Sequence, residues 1–444
     1  MWRMEKDPHL SSTFANVTIL DKLPDMKRFL RRMERATLAV PRLRQRVQSA
    51  PANLGPPTWV DDSTFDIHHH VRHIAVPKPG TIRQLLDLAS LIMADPFDRA
   101  RPLWTFYVVE GLRGGQCALV EKLHHTIADG EGMVKLSLAF LDFAADTPEP
   151  APIDPQAFDA AGEHSSLSGS EILRDLVTAS LRMPLGVLRQ ARELISDPRH
   201  IPGAGTAAAE TIRSVINQLS DVDQAKSPLW TERSLRRRIE VLRAPYSETR
   251  AVATKLGGKL NTAFLTVAAE AASRYHLKMG APVEFLRSSM AISTRSASSG
   301  ANAFSLVRML IPTGEMSIAD RFTQINEAAQ TARGGSGSAS LETLAAVAST
   351  LPTSLVTRLA RTQGQTIDFA TSNVRGAPVA MYVAGAQLLE NYPVGPLAGV
   401  AFNLTLLSYF GSLDMGVNID SAAVAKPQLL RTCLVGAFDD LLAL

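Results

Sequence analysis

The chain has 444 residues, 45% hydrophobic and 20% charged, with a formal net charge of +3 and a pI near 8.9. That length exceeds what one hydrophobic core fills, so two domains are expected, and the composition excludes long stretches of disorder. The weak, dispersed positive charge excludes a nucleic-acid grip, two cysteines exclude a disulfide framework, and no apolar run reaches the roughly 18 residues of a membrane span.

The N-terminus lacks the apolar core of a secretory signal, so a cytoplasmic protein is expected, touching membranes only from outside. Ala15 to Ile19 alternates apolar and polar residues and predicts a half-buried strand. Asp25 then caps a helix whose Met26, Phe29, Leu30, Met33 and Val40 share one stripe, and Pro41 ends it. Phe65 to His73 reads as an extended, surface segment; its histidines lack further ligands nearby to complete a metal site. Trp104 to Val109 and Cys117 to His124, joined by a glycine-rich loop, predict a hairpin. A helix follows with Met133, Leu136, Phe140 and Phe143 at helical spacing.

From about Asp146 to Ser170 the composition shifts to Pro, Ala, Ser and Asp, and helical patterns run over 172–195 and 206–219. Strands are expected at 285–293, 303–311, 379–389, 400–409 and 413–419, and helices at 248–256, 261–275, 317–331 and 426–443. The organisation is α/β: a first half over 1–150, a linker with crossover helices over 151–227, and a second half over 228–444.

The chemistry concentrates in His124-His125-Thr126-Ile127-Ala128-Asp129-Gly130. Adjacent strand residues point to opposite faces, so His124 and His125 cannot both reach one atom. His125 shares its parity with Leu119 and Leu123, His124 with Val120 and Lys122. Asp129 lies four residues on, in a loop that returns beside the ring, and Gly130 gives that turn its freedom. A hydroxyl attacks an acyl carbon only if its proton leaves as the bond forms, and imidazole, with an unperturbed pKa of about 6.5, suits that task. A structural histidine pair or a metal ligand is the bland alternative. With no HExxH or CxxC in the chain, no metal is expected.

Taken together, these blocks resemble the bacterial wax ester synthase/diacylglycerol acyltransferase family, within the coenzyme A-dependent acyltransferase superfamily marked by HHxxxDG. Pro102-Leu103-Trp104 precedes the histidines as in the family, and Trp59-Val60, Phe65-Asp66-Ile67 and Pro41 to Val47 also fit. Further on, Ala291 to Arg295 with Gly300 and Asn302, Thr371 to Pro378, Ser408 to Gly411, and Asp420 resemble later family blocks in order.

The resemblance implies two chloramphenicol-acetyltransferase-like domains with a tunnel at their interface and His125 at its middle. It implies acyl transfer from acyl-CoA to diacylglycerol or a long-chain alcohol, with acyl-CoA as co-substrate, no cofactor, and work beside the inner membrane or lipid droplets. An acyltransferase for a small or carrier-bound alcohol is the alternative, and a non-catalytic lipid-binding or lipid-droplet protein is the alternative of another class. His125 is the expected base and Asp129 a brace for its loop, with Arg295 its candidate partner. Ser372 or Asn373 is the candidate oxyanion donor, and Asn261 supports the substrate. Arg236-Arg237-Arg238 is a candidate for the phosphates of coenzyme A, or otherwise an exposed basic strand. The chain departs from the family at Thr262, where an aspartate is usual, at Ala291 and Arg375, where prolines are usual, and at Ala301, which interrupts a Gly-Asn pair.

Overall fold

The computed structural model describes residue 2 and residues 4–49, 57–148, 227–293, 304–334 and 353–444. The expected helices over 172–195 and 206–219, and with them the crossover, lie outside these residues.

The chain opens with short 3-10 turns at Met4–Lys6 and Pro8–Leu10, then β1 (Thr13–Leu20) and α1 (Met26–Ala39). Asp25 caps α1 by accepting the Arg28 N–H at 3.1 Å, and Phe29, Met33 and Ala36 bury one stripe, as the spacing required. Next come β2 (Gln45–Gln48), β3 (Thr58–Asp61), the single turn α2 (Ile67–His70), β4 (Val71–Ala75) and α3 (Ile82–Ala94). The expected extended, exposed histidine segment is corrected in part: His68 to His70 are helical, whereas His68 and His73 are exposed and His73 lies on β4. His70 is buried, stacked between Phe65 and Trp104 with its Nδ1 2.7 Å from the Trp104 carbonyl. β5 (Trp104–Glu110) and β6 (Cys117–His124) form the expected hairpin. The helix after His125 is shorter than its pattern: α4 covers Gly130–Ser137, and Phe143, expected on its buried face, is 70% exposed.

The second half contains β7 (Arg237–Pro245), α5 (Tyr246–Lys255), α6 (Leu260–Lys278), β8 (Phe285–Ser293), β9 (Phe304–Pro312), α7 (Ile318–Gly334) and α8 (Thr353–Gln365). It continues with β10 (Phe369–Arg375), β11 (Tyr382–Val383), β12 (Ala386–Val394), β13 (Phe402–Tyr409), β14 (Ser412–Asp420) and α9 (Pro427–Leu442). The strand expected over 379–389 is broken by a turn at Ala384-Gly385, both at positive φ, and its second limb runs on to Val394. α6 is apolar on nearly every side because it lies inside the second core, with Phe264, Val267, Ala271 and Tyr275 all buried.

Two six-stranded sheets result. The first runs β11-β12-β1-β6-β5-β4 and the second β7-β14-β13-β10-β8-β9. The halves of the sequence do not partition the sheets, because β12 pairs antiparallel with β1, from Ala15 opposite Val394 to Leu20 opposite Leu388. β14 crosses β12 closely: a Cβ on Gly416 would meet the Pro393 carbonyl at 2.1 Å. β6 sits between β1 and β5, which explains why all eight of its residues are buried.

Candidate active site

β6 delivers the histidines to the end of its sheet. The last paired residue is His124, opposite Thr13 of β1, and the His125 N–H donates to the Ser12 carbonyl at 3.1 Å. Leu119 and Leu123 pack with Phe14, Trp104 and Phe106, whereas Ala118 and Val120 pack on the opposite face against α3. The His125 ring lies on the first of these faces, 4.6 Å from the Phe14 ring.

The His124 ring is held on both edges. Its Nδ1 accepts the Thr126 N–H at 3.0 Å and lies 2.7 Å from the Thr126 hydroxyl. That places the ring proton on Nε2, which lies 2.6 Å from Glu5 Oε2. Burial alone would raise the Glu5 carboxyl. The hydrogen bond and charge of His124, the Ser12 N–H and Arg99 outweigh it and hold Glu5 below its ordinary range. Burial, helped by neighbouring His124, pulls the His125 imidazole down to about 4, against the opposing pull of Asp129, the Ala128 main chain and Glu5. His125 is therefore neutral near pH 7, the state in which a ring nitrogen can take a proton.

Asp129 is buried and caps α4, accepting the Gly132 N–H at 2.7 Å while its carbonyl accepts the Met133 N–H at 2.8 Å. Gly130, expected to give the turn its freedom, is the first helical residue of α4. Arg42 Nη1 donates to the Thr126 carbonyl at 3.1 Å and ties the loop from outside. Arg295, Gly300, Ala301 and Asn302 lie outside the described residues.

The second half meets this loop through β10, which packs on α4. Val374 and Leu407 join the apolar cluster that contains Ile127, Ala128 and Met133. Ser372 shares the face of Val374 and is half-buried, whereas Asn373 is exposed on the other face. Asn373 Nδ2 donates to Asn261 Oδ1 at 3.4 Å, and Asn261 in turn lies 2.8 Å from Met290 Sδ. The structure thus brings Asn261 and Asn373 together and directs Ser372 toward the first half. Thr262 donates to Asn326 Oδ1 at 3.1 Å, Arg375 is exposed, and Ala291 is half-buried on β8.

Two of the three arginines in the run are engaged, and Arg236 is exposed. Arg238 Nε lies 2.6 Å from Glu240 Oε1, and burial, opposed by the charge of Asp420, lowers the Arg237 guanidinium. Asp420 is buried and accepts the Ser234 N–H and hydroxyl at 2.5 Å each, a structural anchor. Among the described residues no cluster of three or more His, Cys, Asp or Glu side chains could hold a metal, and no helix is long and apolar enough to cross a membrane. Glu5, Ser12, Phe14 and Arg42 are site residues that the sequence did not single out. Only Thr126, inside the motif, carried a signal.

Solved structures define the class first. A wax ester synthase/diacylglycerol acyltransferase from Marinobacter aquaeolei VT8 superposes with a TM-score of 0.65 at 20% identity, covering 99% of this chain and 96% of that one. The first condensation domain of the calcium-dependent antibiotic synthetase gives 0.55 at 15% identity, over 99% and 94%. The fold is thus an α/β arrangement of two condensation-domain-like, chloramphenicol-acetyltransferase-like units.

The wax ester synthase/diacylglycerol acyltransferase catalytic domain matches residues 6–264, and the family's C-terminal domain matches residues 300–442. The chain belongs to this family and is an acyltransferase. A Mycobacterium tuberculosis H37Rv protein provisionally named diacylglycerol O-acyltransferase is 32% identical over 100% of this chain and 90% of its own length. A second from the same strain, tgs1, is 28% identical over 96% and 90%. Family membership implies an acyl-CoA donor and an acyl acceptor as substrates.

Proposed function

We propose that the chain transfers a long-chain acyl group from acyl-CoA to the hydroxyl of diacylglycerol, or of a long-chain alcohol, in one direct step with His125 as general base. The placement of His125 carries this reading. Its ring sits on the sheet face whose apolar cluster includes Val374 and Leu407 of the second half, its backbone is fixed by Ser12, and it is neutral near pH 7. In that neutral state one ring nitrogen carries a lone pair that can take a proton.

That nitrogen takes the acceptor's proton as its oxygen attacks the thioester carbon. The tetrahedral oxyanion collapses, the carbon–sulfur bond breaks, and the imidazolium returns the proton to the departing thiolate, leaving an ester and free coenzyme A. Ser372, on the face turned toward the His125 loop, is a hydroxyl donor of the type that stabilises such an oxyanion, whereas Asn373 lies on the other face beside Asn261. No cofactor takes part on this reading, and acyl-CoA is the co-substrate. The names of the mycobacterial relatives favour diacylglycerol. So insoluble an acceptor places the reaction at a lipid surface, the cytoplasmic side of a membrane or a lipid droplet.

Purified protein incubated with palmitoyl-CoA and diacylglycerol, hexadecanol or a short-chain alcohol, read by thiol release, tests the proposal. Transfer to the long-chain acceptors should fall about 10²-fold or more in His125→Ala. Transfer only to the short-chain alcohol, or activity unchanged in His125→Ala, would overturn it.

A further inference from the structure

Two arginines of the second sheet are not accounted for by the site above. On β8, Leu286, Ser288 and Met290 are buried on the face that packs on α6, so Arg287 and Ser289 lie on the other face. Ser289 pairs with Arg308 of β9, and Ser289 also pairs with Ala370 of β10. Arg287, Arg308, Ser289, Ala370 and Ser372 therefore share the face whose Val374 packs on the loop after His125.

Both guanidiniums are half-buried. Arg308 donates to the neutral Gln363 of α8, and burial together with the like charge of nearby Arg287 lowers it. Arg287 Nη1 is buried without a hydrogen-bond partner among the described residues. Asp368, just before β10, accepts the main-chain N–H groups of Ser227 and Arg287, and among the described residues no ion pair joins a carboxylate to either arginine. Leu310, paired with Arg287, is 42% exposed, so the two cations stand where this face opens to solvent. Two adjacent, partly desolvated cations with no counter-charge among the described residues cost free energy, and a polyanionic ligand would offset that cost.

We propose that Arg287 and Arg308 form the subsite for the phosphates of coenzyme A, with the pantetheine arm lying along the polar band from Arg287 to Ser372; the assignment rests on the acyl-transfer reading above. The lengths agree. The Asp368 N–H donates to the Arg287 carbonyl at 2.8 Å, so the two residues stand side by side. From Asp368 the strand covers about 13 Å to Ser372 and about 20 Å to Val374 at roughly 3.3 Å per residue. The roughly thirteen bonds from the thioester sulfur to the first phosphorus span about 16 Å at ~3.8 Å per three bonds. Arginine also suits the ligand, because its planar fork matches phosphate oxygens two at a time.

The test uses the full chain with palmitoyl-CoA, palmitoyl-3′-dephospho-CoA and palmitoyl-pantetheine as donors, and calorimetric binding of coenzyme A alone. Arg287→Gln and Arg308→Gln should each raise KM for palmitoyl-CoA and weaken coenzyme A binding about ten- to hundredfold, the range for one charge-assisted hydrogen bond. Both should leave palmitoyl-pantetheine kinetics unchanged, and Arg308→Lys should recover part of the loss. A loss retained on the dephospho donor identifies the diphosphate as the ligand, and a loss that vanishes there identifies the 3′-phosphate. Unchanged coenzyme A binding, or an equal loss on palmitoyl-pantetheine, overturns the assignment, and thermal melts show whether a variant has failed to fold. Wild-type protein inactive with every thioester would instead overturn the acyl-transfer reading itself.

Discussion

Replacing Glu5 by alanine removes the acceptor from a ring shut off from solvent. The His124 side chain is 1% exposed and its Nε2 lies 2.6 Å from Glu5 Oε2. With Nδ1 already committed to the Thr126 N–H, Nε2 would lose the carboxylate it lies against, a cost of about 1–3 kcal/mol. In a chain of this size that lowers Tm by roughly 1–3 °C. The larger effect falls on catalysis, because His124 anchors Thr126 and thereby the loop that carries His125. Misplacing a base by about 1 Å can cost 10²-fold. Glu5→Ala should therefore reduce kcat about 10- to 100-fold in the thiol-release assay with little change in KM for palmitoyl-CoA. Glu5→Gln keeps an acceptor oxygen at Nε2 and should recover most of the loss. The carboxyl sits below its ordinary 4.5, so its contribution to stability is complete above that pH and is lost as pH falls through the lower folded value. A Glu5→Ala enzyme within about twofold of wild-type kcat would refute the argument.

Four further outcomes follow from the same geometry. His124→Ala, which removes a positioning ring, should retain more activity than His125→Ala, and equal losses with folding intact would point to a joint structural role. Because His125 is pulled down to about 4, kcat/KM should stay level from about pH 8 to about pH 5 and fall only below that; an acid limb centred near 6.5 would place the ring in water. Burial, opposed by the Asn16 hydrogen bond, pushes Glu121 up to about 7 from 4.5, so the folded state favours its neutral form. Its penalty grows as pH rises through that window, and Glu121→Gln should raise Tm at pH 8 but not at pH 4. With no GxSxG nucleophile in the sequence, mass spectrometry after mixing with palmitoyl-CoA alone should show no acylated chain, and a stable palmitoyl adduct would replace direct transfer with a two-step route.

The sequence carried the local physics well. The parity of β6 separated Leu119 and Leu123 from Val120, and the cores on the two faces follow that division. Asp25, Pro41 and the hairpin loop after Glu110 marked their elements because capping, ring closure and glycine freedom act within a few residues. Long-range partners left no such trace. Glu5 reaches His124 from a 3-10 turn well over a hundred residues upstream, and nothing in Met4 to Lys6 announces a carboxylate aimed at an imidazole. Phe143 continued the helical spacing of α4 but lies past its end, since periodicity says which face a residue would occupy and not where the helix stops. Arg237 read as free charge because Asp420 becomes its neighbour only through sheet pairing, whereas Glu240 stands two residues from Arg238 on the same strand face and was legible in the sequence.

The pairing of β12 with β1 sets a timetable for synthesis. β1 cannot complete its hydrogen bonds until Val394 has been made, some 379 residues after Ala15. At about 5–20 residues per second the ribosome needs roughly 20–75 s to cover that distance. Throughout that interval the first sheet has an open flank on β1, a template for pairing with other nascent chains. Expression as separate halves would make the gap permanent. A fragment ending near residue 150 should aggregate unless a peptide carrying 386–394 is supplied in trans, and slow translation should be harder on this protein than on one whose sheets close within their own sequence.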